Sequence, residues 1–153
     1  TGESWASLLP LEAARELRQP VRGYASAALA RRHRQASRRG HGLAGLDAAE
    51  LHRLRIAVKK LRYTATFFAP LYPARREAAM RRALAALQDA LGQINDCSAA
   101  ERLLGAAYRR ARGALLAEAR DLVVRANDAA RAEQRRRLKA AWTAFRAARR
   151  FWE

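Results

Sequence analysis

Helix-breaking residues divide this 153-residue chain into long segments that favour helix. The expected breaks lie at Pro20, at Gly40 and Gly42, at Pro70 and Pro73, and at Gly113. The apolar half of the composition is mainly Ala and Leu with few β-branched residues, which also favours helix, and the length suffices for one hydrophobic core. Four amphipathic segments joined by short connections predict an all-α, antiparallel four-helix bundle.

The first predicted helix begins at a proline. Pro20 suits the first turn of a helix, and apolar residues recur at helical spacing from there until Gly40. Residues 1–19 contain Pro10 and are interpreted as a lead-in segment. Residues 20–153 are therefore interpreted as the helical bundle.

The second predicted helix has the strongest start signal in the chain. Asp47 can cap the free amides of the first turn, and Glu50 stands three residues later, as a capping box requires. Leu46 can pack against the first turn as a hydrophobic staple. These residues predict a helix from about Asp47 to Ala69, which Pro70 ends.

The third and fourth helices are predicted to be the longest. The third runs from about Ala74 to Arg112, with a kink or break expected at Gly92 or at Asn95 and Asp96, which could cap a following helix. The segment after Gly113 is either one long C-terminal helix or two helices joined near Asn127. Their candidate core positions are apolar at helical spacing: Met80, Leu84, Leu87, Leu91, Ile94, Leu115, Leu116, Leu122, Val123, Leu138, Trp142 and Phe145.

The charge balance predicts an anionic partner. The chain has 31 Lys and Arg against 14 acidic residues, a formal charge of +17. Nucleic acid, an anionic membrane or granule surface, an acidic protein and a free phosphate polymer all fit this charge. The single cysteine, Cys97, forms no internal disulfide, which favours a reducing, cytoplasmic location, and neither a transmembrane segment nor a secretory signal is indicated.

The second predicted helix separates an apolar side from a basic side. At 100° per residue its apolar residues gather on one side: Leu54, Ala57, Val58, Leu61, Ala65 and Phe68. The residues of the other side are mostly cationic: His52, Arg55, Lys59, Arg62 and Tyr63. We call this second group the basic row.

The basic row is long enough to contact several anionic groups. Arg55 and Arg62 are about 10 Å apart along the helix axis, with Lys59 between them. Guanidinium groups bind phosphate oxygens bidentately, Lys acts as a mobile point charge, and His52 adds a donor when it is protonated. The pattern predicts binding of an extended phosphate polymer. The alternative is an outward helix face whose charges are only solvated.

Further anion-binding candidates are Lys60, Arg32, His33 and Arg136. His33 lies in a basic run at a helix end, where stabilisation of the C-terminus explains it equally well. Asp89 and Asp96 could share a helical face for a metal or for acid and base chemistry, but ion pairs with arginines are the favoured interpretation. We expect no catalytic residue, metal or cofactor, and therefore no enzyme.

Two sequence motifs resemble those of a known family, and they occur in the same order. The segment HRLRIAVKKLRY from His52 to Tyr63, followed by Phe67 and Phe68, resembles the signature helix of the conserved-histidine α-helical (CHAD) domain family. The segment LQDALGQIND, from Leu87 to Asp96, resembles the second motif of that family, and the stretch from Trp142 to Trp152 is similar to its end. The resemblance extends from about Val21 to Trp152.

The resemblance implies a non-catalytic helical module that binds inorganic polyphosphate. Members often lie beside a triphosphatase-type catalytic domain or on polyphosphate or polyhydroxyalkanoate granules. By motif position, the binding residues are those of the basic row. Thr66 departs from the family pattern, which usually has Glu there. The family also commonly has two bundles around one channel, and this chain resembles the second, so a fragment, a half-site and a homodimer are three interpretations.

Two other functions remain as alternatives. A structural protein that coats a granule would show an apolar stripe left exposed after the bundle has packed. Nonspecific nucleic-acid binding is disfavoured, because the tyrosines do not alternate with basic residues as a base-stacking surface requires.

Overall fold

Four α-helices form the part of the chain that the computed structural model describes, residues 20–111 and 114–153. They are α1 Val21–Arg39, α2 Ala48–Phe68, α3 Ala74–Ala111 and α4 Ala114–Ala147. Short 3-10 turns follow α1 at Leu43–Gly45 and α2 at Ala69–Leu71. These described residues contain no strand, which confirms the all-α prediction. The predicted lead-in, residues 1–19, lies outside them.

Local signals in the sequence set the helix starts. Pro20 is the N-cap of α1. At α2 the Glu50 amide donates to Asp47 Oδ1 over 2.7 Å, and the Asp47 amide donates to Glu50 Oε2 over 2.9 Å. Leu46 packs against the core beside them. The predicted capping box is therefore confirmed.

Consecutive helices run antiparallel. The start of α1 meets the end of α2, where the rings of Tyr24 and Phe68 lie 6.1 Å apart. The start of α2 meets the middle of α3, where His52 Nδ1 and Asn95 Oδ1 are 2.9 Å apart. The end of α1 meets the C-terminal half of α4 at Gly40 and Trp142.

The core lies where all four helices overlap. Its largest fully buried side chains are apolar residues from each helix: Leu29, Leu54, Val58, Leu61, Met80, Leu84, Leu87, Leu91 and Phe145. Phe151 and Trp152 close one side of it, 4 % and 5 % exposed. The core predicted for α2 and for the first half of α3 is thus confirmed.

Of the kink or break predicted in α3, the break is wrong. The helix continues through Gly92 and Asn95 to Ala111. Leu91 is buried and Ile94 packs against the core on either side of Gly92, so tertiary packing outweighs the low helix propensity of glycine. Asn95 does not cap a new helix, because α3 continues through it, and its side chain contacts His52.

The fourth segment forms one helix. It passes Asn127 without interruption, and the Asn127 side chain donates from Nδ2 to Glu101 Oε1 of α3 over 2.8 Å. The alternative of two helices joined near Asn127 is therefore wrong.

Helices α3 and α4 extend beyond the bundle as a two-helix arm. They contain 38 and 34 residues, against 19 and 21 in α1 and α2. At about 1.5 Å per residue they are about 20 to 30 Å longer than the two helices beside them. We define the arm as residues 95–111 and 114–137, none of which is fully buried among those with described side chains.

Two core predictions on the arm are wrong. Leu115 is 80 % exposed and Leu122 is 63 % exposed. Helical spacing placed both on an apolar face, but α1 and α2 do not reach that far along α4. Leu138 and Phe145, which lie within the bundle, are buried as predicted.

Candidate anion-binding site

The basic row follows α2 along its border with α3. Arg55 and Arg62 are half-buried, whereas His52, Lys59 and Tyr63 are exposed. On the helical wheel, Arg55 and Arg62 are about 80° to 100° from the centre of the apolar side, so they fall at the edge of the helix interface. The row spans about 15 Å from His52 to Arg62.

A hydrogen bond fixes the ring of His52 at one end of the row. Its Nδ1 lies 2.9 Å from Asn95 Oδ1, which is an acceptor, so Nδ1 carries the proton and donates. Asn95 in turn donates from Nδ2 to Asp96 Oδ1 over 3.4 Å. An anion can then receive a hydrogen bond only from Nε2, and only when the ring is cationic.

The guanidinium of Arg55 has an unused donor. Its Nε is shielded from solvent and has no hydrogen-bond partner in the described chain. A shielded N–H without a partner costs stability, so a ligand oxygen that accepted from it would remove that cost.

The other end of the row has both an aromatic and an acidic neighbour. Lys59 Nζ lies 5.7 Å from the centre of the Tyr63 ring, and Tyr63 is 60 % exposed. Arg62 borders a gap of about 10 Å³ together with Thr66, Glu77 and Arg81. Glu77 already accepts from Arg81 Nε over 3.2 Å, so its charge is partly balanced without Arg62.

The row belongs to a segment of the described chain that has few carboxylates. Between Pro20 and Pro73 there are eleven Lys and Arg and two carboxylates, Asp47 and Glu50. Both carboxylates belong to the capping box of α2. All ion pairs among the described residues lie in α3, α4 and the C-terminal turn, so none of these eleven cations is paired there. The carboxylates of this segment therefore do not neutralise the positive potential of the row.

Comparison with known proteins decides the family. The family model described as the CHAD domain matches residues 2–105, which is more than half of the chain. The chain belongs to the CHAD domain family.

A solved structure supports the same conclusion. It is the crystal structure of the CHAD domain from the plant Ricinus communis, 31% identical to this chain, with a TM-score of 0.73. The match covers 91% of this chain and 47% of the plant chain, so this chain spans about half the length of the plant protein. No curated protein sequence matches the chain.

The remaining predicted residues of this CHAD domain do not join the row. Lys60 is exposed on α2, one residue after Lys59. Arg32 lies on α1, where its Nη1 donates to Gln35 over 3.4 Å. Arg136 lies on α4 and donates from Nη2 to Glu133 Oε2 over 2.7 Å. A hydrogen bond from Arg136 and a second, smaller contribution from Arg137 hold the pKa of Glu133 below its usual value.

His33 of the CHAD domain lies among aromatic rings between α1 and α4. Its ring centroid is 5.0 Å from that of Phe145 and 5.6 Å from that of Trp152. Burial, followed by the charge of Arg150, lowers the pKa of His33 below its ordinary value of 6.5, although Glu153 opposes the shift. These contacts give His33 a packing role.

This environment predicts a loss of stability in mild acid. Because the pKa of His33 is lower in the folded chain, the unfolded chain binds the proton more readily, and unfolding is favoured as the pH falls below about 6.5. We expect the free energy of unfolding to fall by less than about 1 kcal/mol between pH 7 and pH 5, since His33 is half-exposed. Urea titrations of the wild type and of His33→Gln measure this change. An equal pH dependence in the variant would show that another group is responsible.

A basic cleft between the end of α1 and the start of α2 in the CHAD domain was not predicted from the sequence. It encloses about 270 Å³, and its lining is mainly basic: Arg38, Arg39, His41, Leu46, Glu50 and Arg53. Arg38 and Arg39 end α1 and His41 follows it, whereas Arg53 lies in α2, one position after His52. The two basic segments could be read from the sequence, but their proximity depends on the turn around Gly42, where φ is 68°.

Asp89 and Asp96 form neither a metal site nor ion pairs in the described part of the CHAD domain. No cluster of three or more His, Cys, Asp and Glu side chains there could hold a metal ion. Neither aspartate is within ion-pair distance of an arginine there, so the described residues do not confirm the favoured interpretation of either one. Within residues 20–111 and 114–153, every helix is too short or too polar to cross a lipid bilayer.

Proposed function

We propose that this CHAD domain is a non-catalytic module that binds inorganic polyphosphate through the basic row. One observation carries the proposal: the row belongs to a segment with eleven Lys and Arg, none of which is paired with a carboxylate of the described chain. Binding sites for long anionic polymers need cations that are free to exchange their mobile counterions. The proposed location is cytoplasmic.

The composition of the row suits repeating phosphate groups. Arg55 and Arg62 each present a planar fork of N–H groups that can donate to two phosphate oxygens, and the half-buried position of both side chains restricts their rotamers. Lys59 lies between them and is exposed, so its side chain can move more freely. This mobility allows it to follow a polymer whose path varies. The row is about 15 Å long, which exceeds the size of one phosphate group. This length favours a phosphate polymer over a single phosphate ion.

The hydrogen bond of His52 limits how this residue can contribute to the proposed site. Since Nδ1 donates to Asn95, the histidine contributes to phosphate binding through Nε2 only after protonation. Asn95 and Asp96 belong to the second family motif, so the two motifs meet at this end of the row. Arg53 and the basic cleft adjoin it, which offers a continuing polymer further cations.

A second CHAD half is the proposed partner at the row. The chain matches about half of the plant CHAD domain, and more than half of that protein lies outside the match. A second bundle that faced α2 and α3 would turn the open row into one wall of a channel. The row would then be a half-site.

A granule-associated structural role is the second candidate. The exposed leucines of the arm, including Leu103 at 72 % exposure, are the apolar surface that such a role requires. Nonspecific nucleic-acid binding has no comparable observation in its favour. Under the granule alternative, the apolar arm rather than the basic row determines where the protein binds.

Competition binding with matched variants tests the proposal. Labelled long-chain polyphosphate is bound at near-physiological salt, with double-stranded DNA and heparin as competitors. We expect Arg55→Ala with Arg62→Ala to weaken polyphosphate binding about 30-fold, since each lost charged hydrogen bond costs about 1 kcal/mol at a half-exposed site. Circular dichroism checks that the variant remains helical.

Arg109→Ala with Arg110→Ala is the control. It removes the same charge from exposed positions at the far end of α3 and should change the affinity less than about threefold. If both double variants have the same effect, and DNA and heparin compete as well as unlabelled polyphosphate, the row is only a charged surface. The granule or nucleic-acid function would then be favoured.

A further inference from the structure

The arm presents an apolar seam that no described residue covers. Along α4, apolar residues that face away from α3 recur at alternating spacings of four and three: Leu115, Ala119, Leu122, Ala126 and Ala129. Leu115 and Leu122 are 80 % and 63 % exposed, and Ala126 and Ala129 are exposed as well. This 3.5-residue repeat is the pattern with which one helix packs along another in a coiled coil.

Two unpaired charges flank the seam on the same side. Glu118 and Arg125 are seven residues apart, so they lie on one edge of α4. Neither forms an ion pair in the described chain, whereas the nearby Asp121 and Asp128 pair with Arg120 and Arg131. Among the described residues, the seam therefore carries one acid and one base without an ion-pair partner beside its leucines.

We propose that a second copy of this chain packs antiparallel on the seam, with the two-fold axis at Leu122. In that arrangement Leu122 meets its own equivalent, and each Leu115 lies opposite an Ala129. Each Glu118 then comes within about one residue of Arg125 of the other copy, which forms two equivalent ion pairs. A two-fold interface needs this self-complementarity of shape and charge.

The high net charge does not oppose this dimer. Leu138, the first buried residue of α4 within the bundle, is sixteen residues from Leu122, or about 24 Å along the helix. The two bundles would start about 48 Å apart, several times the screening length of about 8 Å at physiological salt. The dimer also holds its two basic rows at opposite ends, so it predicts two separate sites rather than one shared channel.

Sedimentation equilibrium at near-physiological salt and micromolar chain concentration tests the dimer. We expect the wild type to have twice the chain mass of 17.1 kDa. Leu122→Glu should give the single-chain mass, because two carboxylates would meet at the axis, and it should remain helical since Leu122 is exposed in the single chain. Phe67→Glu is the control: Phe67 is 77 % exposed on α2 and should leave the dimer mass unchanged.

Charge exchange and cross-linking test the orientation. Glu118→Arg and Arg125→Glu should each weaken dimerisation about tenfold, and the two together should restore it. Cys97 is the only cysteine, so on a Cys97→Ser background Leu122→Cys should form an interchain disulfide and Leu115→Cys should not. Equal cross-linking at both positions would indicate parallel helices and overturn the proposal.

A single-chain mass for the wild type would also overturn it. Binding of that monomer to polyester particles, abolished by Leu122→Glu, would then assign the seam to a granule surface. The dimer does not depend on the identity of the anion that the basic row binds. Its failure and a failure of polyphosphate binding are therefore distinguishable.

Discussion

The proposed binding of polyphosphate by this CHAD domain is expected to weaken about 100-fold when the salt concentration rises from about 50 mM to 200 mM. The row supplies four cations when His52 is protonated, and Lys60 adds another nearby. Each phosphate that they neutralise releases condensed counterions, so the logarithm of the affinity falls linearly with the logarithm of the salt concentration. For about four contacts, a fourfold rise in salt gives the stated loss.

The slope of this salt dependence distinguishes direct contacts between the row and phosphate groups from general electrostatic attraction. Arg55→Ala with Arg62→Ala should reduce the slope by about two, because two phosphate contacts are lost. Arg109→Ala with Arg110→Ala should leave the slope unchanged. Isothermal titration at several salt concentrations measures both slopes. Similar slopes in all three proteins would show that the row makes no direct contact.

Replacing Gly40 by alanine is expected to lower the free energy of unfolding by about 2 to 3 kcal/mol. A methyl group there would lie 2.7 Å from Cζ2 of Trp142 and closer still to Cζ3 and Cη2. The indole cannot withdraw easily, because its centroid lies 5.3 Å from that of Phe145 in the core. The backbone at Gly40 has a φ of −94°, so the cost is steric and does not arise from backbone strain.

Gly23→Ala is the matched control for Gly40→Ala. Gly23 lies in α1, and an added Cβ would have no neighbour within 4 Å. This variant should gain about 0.5 to 1 kcal/mol from the lower conformational entropy of the unfolded chain. Thermal unfolding should shift the midpoint down by about 5 to 10 °C for Gly40→Ala and slightly up for Gly23→Ala. A neutral Gly40→Ala would mean that Trp142 adopts another position at no cost.

The helix starts could be predicted because their causes are local. Asp47 and Glu50 form the capping box within one helical turn, and Pro20, which has no side-chain cap, stands directly before α1. The break expected at Gly92 failed for the opposite reason. Packing of Leu91 and Ile94 across the bundle keeps α3 helical there, and no local pattern reveals that packing.

The residues of the candidate site could be predicted from the sequence, but the structure around them could not. The helical wheel grouped Arg55 with Arg62, yet it could not show that α3 borders both and leaves Arg55 Nε without a partner in the described chain. The same limit explains Leu115 and Leu122, since periodicity identifies an apolar face without revealing whether another helix reaches it. The basic cleft was missed because it joins two segments across a turn.

The capping box of α2 also affects how fast the domain can bind an anion. Asp47 and Glu50 are the only carboxylates between Pro20 and Pro73, and both are engaged with the helix backbone. An arriving polymer therefore breaks no internal ion pair at the row and displaces only water and mobile ions. Association should approach the rate set by electrostatically steered diffusion, and differences among polyanions should appear mainly in how slowly each one dissociates.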